Sequence, residues 1–380
     1  MKHQLRIFAI AALLHGTWQC TGSGDHAAGQ EGAASWSVDS TPIAVLGGIE
    51  NEAASISIGV GATRLPDGQI LVADRGEFGL LFFDVSGHLL RRAVRKGKGP
   101  GEVEFLANAW RCDTLLYVFD IDGYRISEFT LDGTFQRSFR FAQVDKNSVP
   151  YASACNVLGE FIHYGWDLAR GVKPGVHRPQ VAAWTSKADS LLAFRLPDIA
   201  GSERWVTTRG SRPLGLGKET QIAAGANSFY IGQATTYAID VVDFRGDTLR
   251  TITRPFTPQP IGRADIAAAI EREVAESGEK WRKSVEHDFE TMELPAHAPP
   301  YRRLLVDSDE HLWVQDYPLA DRSAVTWSVF LPNGEHLADV SLAADLEVFE
   351  IGRDYVLGRR LNAGTGAPEV HLYRLTRTRR

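Results

Sequence analysis

LPDGQILVAD, residues 65–74, begins with turn-forming residues, runs through an apolar β-rich stretch and ends on an aspartate. The turn residues and apolar run return in RCDTLLYVFD (111–120), AGANSFYIGQ (224–233), DSDEHLWVQD (307–316) and EIGRDYVLGR (350–359), three of the five copies ending in Asp. NVLGEFIHYG (156–165) is a looser sixth copy. A second element follows each copy. LLFFDVSGHLLR (80–91), ISEFTLDGTFQR (126–137), AIDVVDFRGDTLR (238–250) and WSVFLPNGEHLA (327–338) read as two strands around a Gly turn, and VAAWTSKADSLLAF (181–194) is a version without glycine.

The spacing is regular. Asp67 to Gly87, Asp113 to Gly133 and Ala226 to Gly246 are each 20 residues apart, and Asp67 to Asp113 is 46. A period of roughly 40–50 residues with several strand signals per repeat is the mark of a propeller blade. Alternation with Gly or Asp turns predicts antiparallel strands. Helices do not alternate with strands, so no parallel sheet is implied. The expected fold is all-β: one six-bladed β-propeller of four-stranded antiparallel blades over residues 41–380. The last copy, EVHLYRLTR (369–377), stops after a third strand, while TPIAVLGG (41–48) has no blade of its own. Pro42–Leu46 is therefore expected to supply the outer strand of the last blade, closing the ring and removing exposed sheet edges.

Two segments depart from the repeat. GSERWVTTRGSRPLGLG (201–217) reads as a loop-like insertion between the third and fourth blades. Residues 261–294 read as one amphipathic helical insertion, with Ile266, Ile270, Val274, Trp281, Val285 and Phe289 on one face and Gly278 a weak point.

The start, MKHQLRIFAIAALLHGTWQC, places Lys2 and Arg6 before an apolar run from Ile7 to Leu14. That run is shorter than the ~20 residues that span a bilayer and has the shape of an export signal. Residues 1–20 are read as that signal and 21–40 as a flexible tether of small residues. The order resembles a bacterial lipoprotein, with Cys20 the lipidation candidate; plain export is the other reading. The chain is expected in the periplasm, anchored at the outer membrane, or secreted. Net charge is −6 with the signs interspersed, and the one basic tract is the tail RLTRTRR, so nucleic acid is not an expected partner. Cys112 and Cys155 fall near turns of adjacent blades; they either form a disulfide or remain two buried thiols.

LPDGQILVADRG, GKGPGEVEF and DTLLYVFD…RISEFTLDG resemble the NHL-like six-bladed β-propeller proteins of bacterial cell envelopes. The resemblance spans roughly Thr41 to Thr376 and implies the fold; many members of the group have no assigned function.

RKGKGPGEVEF (95–105) raises the question of a phosphate loop. No Ser or Thr follows the lysines and the flanks are strands, so a Walker loop is excluded. The segment reads as a rigid joint between blades, placed on the rim where propellers usually bind ligands. The candidates on that rim are Asp74, Arg75, Lys98, Glu102, Asp120, Asp122, Arg302 and Asp316. Recurrence of Asp74, Asp120 and Asp316 at one blade position favours a turn-forming job. DIDG (120–123) begins like a calcium loop but lacks the later ligands. No cofactor is expected, calcium being the one cation the rim carboxylates could hold. His163 and His177, near Trp166, Asp167 and Arg170, are acid–base candidates weighed against ordinary structural histidines. Arg302, between Tyr301 and Arg303, could clamp an anion or pair with a nearby acid.

The expected function is a monomeric, envelope-associated or secreted binding or scaffold module, non-enzymatic, whose loop rim recognises a peptide, glycan or protein. The alternative is a metal-dependent lactonase or lyase of the gluconolactonase-like propeller type. No G-x-S-x-G or H-E-x-x-H motif is present.

Overall fold

The computed structural model describes residues 35–48, 54–140, 148–167, 172–187, 190–196, 199–207, 210–320 and 322–378. Residues 1–20, read above as an export signal, and with them Cys20, lie outside these residues.

Among the described residues six antiparallel sheets of four or five strands follow one another along the chain, beside two smaller ones, of which Gln180–Val181 with Ile199–Ala200 is the shortest. The first holds Gly59–Arg64, Ile70–Asp74, Gly79–Phe83 and Leu89–Ala93. The second holds Leu106–Cys112, Leu115–Asp120, Arg125–Thr130 and Phe135–Phe139. The third is built from Ser148–Cys155, Glu160–Asp167, Ala183–Lys187 and Ser190–Arg195. The fourth comprises Gln221–Ala224, Phe229–Gly232, Ala238–Val242 and Thr248–Thr253. Tyr301–Val306, Leu312–Asp316, Ala324–Phe330 and His336–Ala343 form the fifth. The sixth has Glu347–Ile351, Tyr355–Leu361 and Pro368–Thr378.

Burial explains the sequence pattern. Every residue of Ile70–Asp74 and Gly79–Phe83 is buried, whereas Leu89–Ala93 alternates between half-buried and exposed. Central strands are covered on both faces by neighbouring sheets, so they read as unbroken apolar runs. Six apolar cores lie between sheets. Phe82 and Leu71 pack with Val118 and Phe129; Tyr117 and Phe119 with Ala152 and Phe161; Ile162 and Ala183 with Phe229 and Ile231. Ile239 and Ile252 pack with Leu304 and Phe330; Trp313 and Trp327 with Val348 and Val356. The sixth core joins the last sheet to the first, through Leu357 and Leu372 against Val72 and Phe83.

The hairpin turns use local chemistry. Asp84 accepts the N–H groups of Ser86 and His88, both at 2.9 Å. In the equivalent turn of the second sheet, Gly133 has φ +85°, and a Cβ there would lie 2.7 Å from the Cβ of Ala93, so glycine is required on both counts.

Residues from the start of the domain complete the sixth sheet. Ala44–Gly47 pairs with Glu369–Leu372, close to the strand expected at 42–46. Ser35–Val38 also pairs, with Leu375–Thr378, so the last residues of the presumed tether are strand instead. Trp36 and Val38 pack on the core between the fifth and sixth sheets. The Trp36 ring lies 4.4 Å from the Arg377 guanidinium carbon and 5.2 Å, edge-on, from His311. Arg377 in turn pairs with Asp307 and Asp309, both at 3.0 Å. Asp307 is buried and also accepts from Trp313 Nε1 at 2.8 Å and the N–H groups of Asp309 and His311 at 2.9 Å.

Cys112 and Cys155 form a disulfide between the ends of the first strands of the second and third sheets, with Cα atoms 6.2 Å apart.

The insertion is two helices, α1 (Arg263–Ser277) and α2 (Arg282–Thr291), not one. Gly278, at φ +99°, and a 3-10 turn over Glu279–Trp281 separate them. The break re-phases the apolar face. Val274, Val285 and Phe289 are buried against Leu216, Tyr317 and Leu319, while Trp281 is 52% exposed. The loop expected at 201–217 contains strands too: Arg204–Thr207 pairs with Gly210–Pro213 and with Gly175–His177. Among the described residues no helix is long and apolar enough to cross a membrane.

Candidate functional site

The 95–105 segment is fastened to itself. Glu102 accepts Gly99 N–H and Arg95 Nε, both at 2.8 Å, and these partners hold its carboxyl below the usual glutamate range. Arg125 donates to the carbonyls of Lys98 (3.1 Å) and Glu102 (2.7 Å). A Cβ on Gly97 would meet the Glu102 carboxylate at 2.0 Å. Lys98 pairs with Glu104 at 3.1 Å. Glu102 and Arg125 thus act on the loop, as a joint requires.

Asp74 and Asp120 are spent in the same way. Asp74, fully buried, accepts the N–H groups of Ser57 (2.7 Å), Ile58 (2.8 Å) and Gly76 (2.9 Å). Asp120, also fully buried, accepts those of Glu104 and Phe105 at 3.0 Å and Gly123 at 3.2 Å, and pairs with Arg125 at 3.2 Å. The geometry repeats because the register repeats: Asp74 stands opposite Gly59 and Asp120 opposite Leu106, and the donors are the two residues before each partner.

Asp316 stands opposite Tyr301 in the same register. The two residues before Tyr301 are Pro299 and Pro300, and two residues after Asp316 comes Pro318, where Asp74 has Gly76. Proline carries no N–H. Both donor positions that serve Asp74 and Asp120 alike are therefore blank, as is the +2 position that serves Asp74, and among the described residues no hydrogen bond reaches the Asp316 carboxylate. Burial pushes its carboxyl above the ordinary value; Arg254 and Arg322 oppose that, and Asp339 adds to it.

This carboxylate opens into a pocket of about 290 Å³ between the fourth and fifth sheets. Tyr237 and Arg254 come from the fourth sheet's margin, and Asp316, Tyr317 and Arg322 from the fifth. Pro255–Thr257 and Ala298–Pro300, the two ends of the helical insertion, complete the wall. They are joined below the helices by Ala298 N–H to Gln259 O at 2.9 Å. Arg254 is oriented by Asp339 at 3.2 Å and by Ser328 Oγ. Tyr301 packs edge-on against Tyr237, and its hydroxyl accepts from Ala234 N–H at 2.9 Å and donates to Ala238 O at 3.1 Å. The Tyr237 hydroxyl is buried near Ser328 and Arg254 but meets hydrogen-bond geometry with neither. Phe256 is 37% exposed at the edge.

The remaining candidates lie elsewhere. Arg75 donates to the carbonyls of Leu106 (3.0 Å) and Ala107 (3.2 Å), tying the first sheet to the second. Asp122 is exposed in its turn. Arg302 places its guanidinium 5.9 Å from the Tyr317 ring centre, behind the pocket, while Arg303 pairs with Glu347 at 3.4 Å. His163 is sealed in the core, bonded to Ser186 Oγ at 2.6 Å and stacked on Trp184; burial lowers its pKa to about 3, which leaves a neutral structural histidine rather than an acid–base group. His177 meets the Lys173 carbonyl at 2.6 Å. Arg170 and the side chains of Trp166 and Asp167 lie outside the described residues. Among those described, no three His, Cys, Asp or Glu groups are placed to hold a metal ion. The sequence reading missed Tyr237, Arg254, Phe256, Tyr317 and Arg322. The sequence signal for the site is PPY at 299–301, where the first two repeats carry N–H donors; it bears on Asp316 and not on these five residues.

Successive antiparallel sheets packed face to face define an all-β protein of the propeller type. No family profile and no curated protein sequence matches the chain. Among solved structures, it is similar to a member of the DUF4221 family from Bacteroides vulgatus, with TM-score 0.51 and 9% identity over 92% of this chain and 99% of that one. A gluconolactonase from Xanthomonas campestris gives TM-score 0.46 and 11% identity over 84% and 87%. A calcium-binding regucalcin from Agrobacterium tumefaciens gives 0.40 and 10% over 87% and 95%. The first likeness is one of fold alone, and the other two carry no further reading.

Proposed function

We propose that the six sheets are the blades of one closed six-bladed propeller of the NHL-like kind, and that the protein is an exported, non-enzymatic binding module. Closure is supported by the core between the sixth and first sheets and by the pairing of Ala44–Gly47 with the last strand. Export is supported by the basic and apolar start of the chain and by the Cys112–Cys155 disulfide, a bond that persists in oxidising compartments. The observation that carries the binding role is Asp316. Its counterparts are consumed by backbone N–H groups, whereas it is left without them in a pocket lined by aromatic rings and guanidinium groups. Asp316 is half-buried and faces an open pocket, so its oxygens are free to accept from a ligand that supplies donors.

Thermal unfolding of the full chain against a panel of amino acids, short peptides and oligosaccharides tests this. One class of compound should raise the melting temperature of the wild type and leave Asp316→Ala unmoved, since a ligand at a hundred times its Kd adds about 2.7 kcal/mol. The compound should be recovered unchanged by mass spectrometry. Recovery of a cleaved or eliminated product, or an equal shift in both proteins, would contradict the reading.

A further inference from the structure

Resting on that reading of the pocket, we propose that its ligand is a neutral saccharide unit, held by hydrogen bonds to Asp316 and Arg322 with a ring face against Phe256. Three charged groups line the pocket, Arg254, Arg322 and Asp316, and a fourth, Asp339, pairs with Arg254 beside it. Their formal charges cancel. A net cation would face two guanidinium groups, and a net anion the Asp316 carboxylate beside an Arg254 already neutralised by Asp339, so neither gains much from the pocket as a whole. A neutral polyol gains from both, because each hydroxyl can donate to a carboxylate and accept from a guanidinium.

The apolar surface fits the same chemistry. Phe256 is a large aromatic left 37% exposed at the pocket edge, while Tyr237 and Tyr317 are 4% and 8% exposed. A pyranose has one face of C–H groups and a rim of hydroxyls, which matches an exposed ring beside polar groups. Prolines 255, 299 and 300 stiffen the wall, so little ordering is lost on binding. About 290 Å³ lies at the small end of ligand pockets and suits a sugar residue, not a folded partner.

The test uses the full chain on an array of neutral and acidic glycans, followed by calorimetry with the bound neutral sugar and, in parallel, with a free amino acid and a dipeptide. Neutral sugar should bind with an affinity that changes less than about twofold between low and high salt. Phe256→Ala should weaken it roughly tenfold, and Asp316→Ala roughly 10- to 100-fold. Circular dichroism confirms that both variants fold. A failure to bind any neutral glycan would overturn the proposal, as would sugar binding that both substitutions leave intact. Salt-sensitive binding of the amino acid or dipeptide, lost in Asp316→Ala, would also overturn it while leaving the binding-module reading standing.

Discussion

Asp307→Ala should lower the stability of the folded chain by about 3–5 kcal/mol, the usual cost of breaking a buried, hydrogen-bonded ion pair from one side. The substitution leaves Trp313 Nε1 and two backbone N–H groups without their acceptor and takes from Arg377 one of its two carboxylates. The damage falls where both ends of the domain meet. Arg377 holds the last strand and, through its ring contact, Trp36 of the first. The effect has a pH signature. Burial raises the Asp307 carboxyl, but His311, Trp313 and Arg377 outweigh it and hold the pKa below the ordinary 3.8. A carboxylate depressed by folding stabilises above its unfolded pKa, and that contribution fades as pH falls through the folded one. The gap between wild type and variant should therefore be full at neutral pH and narrow below about pH 4. Urea unfolding at several pH values measures it, and a neutral-pH difference under about 1 kcal/mol would place Asp307 among ordinary surface positions.

Loss of the disulfide should cost nearly as much. Cys112 and Cys155 are separated by 43 residues, and cross-linking a loop of that length restricts the unfolded chain by about 4 kcal/mol in the chain-entropy account. Reduction, or the Cys112→Ala/Cys155→Ala double variant, should shift the denaturation midpoint accordingly. The bond ties the second sheet to the third, the sheet with the longest interruption between its second and third strands, so proteolysis should begin there in the reduced protein. Both cysteines alkylated in unreduced, denatured protein would show that the bond is absent.

The architecture was legible because propeller sheets repeat their local chemistry. Turn residues, an apolar run and a terminal Asp sit at fixed spacing, and each is explained by a contact: Asp84 in its turn, Ile70–Asp74 between two sheets, Asp74 against Ser57 and Ile58. The strand at Ser35–Val38 was not legible. Its composition matches a tether, and what holds it lies over 270 residues away: the ladder to Leu375–Thr378 and the contacts of Trp36 with His311 and Arg377. The helix break at Gly278 could be seen, but not its effect on Trp281, which depends on how far the 3-10 turn rotates the second helix. The candidate site was half legible. Asp316 belonged to the recurring set, and recurrence argued for a structural role that holds for Asp74 and Asp120. What separates Asp316 is the loss of donors at Pro299, Pro300 and Pro318, visible only once the register places them against the carboxylate. Tyr237, Arg254 and Phe256 come from another sheet and carry no local signal.

Putting the donors back tests this most directly. In Pro299→Ser/Pro300→Ile the segment carries the Ser–Ile pair that serves Asp74 in the first sheet. Two hydrogen bonds to a charged acceptor are worth about 1.5–3 kcal/mol each, against about 0.4–1 kcal/mol lost per proline through the unfolded chain. The urea midpoint of the double variant should rise, reflecting about 1–5 kcal/mol of added stability. A midpoint that stays or falls would contradict the account, because the prolines would then not be what leaves Asp316 open to a ligand.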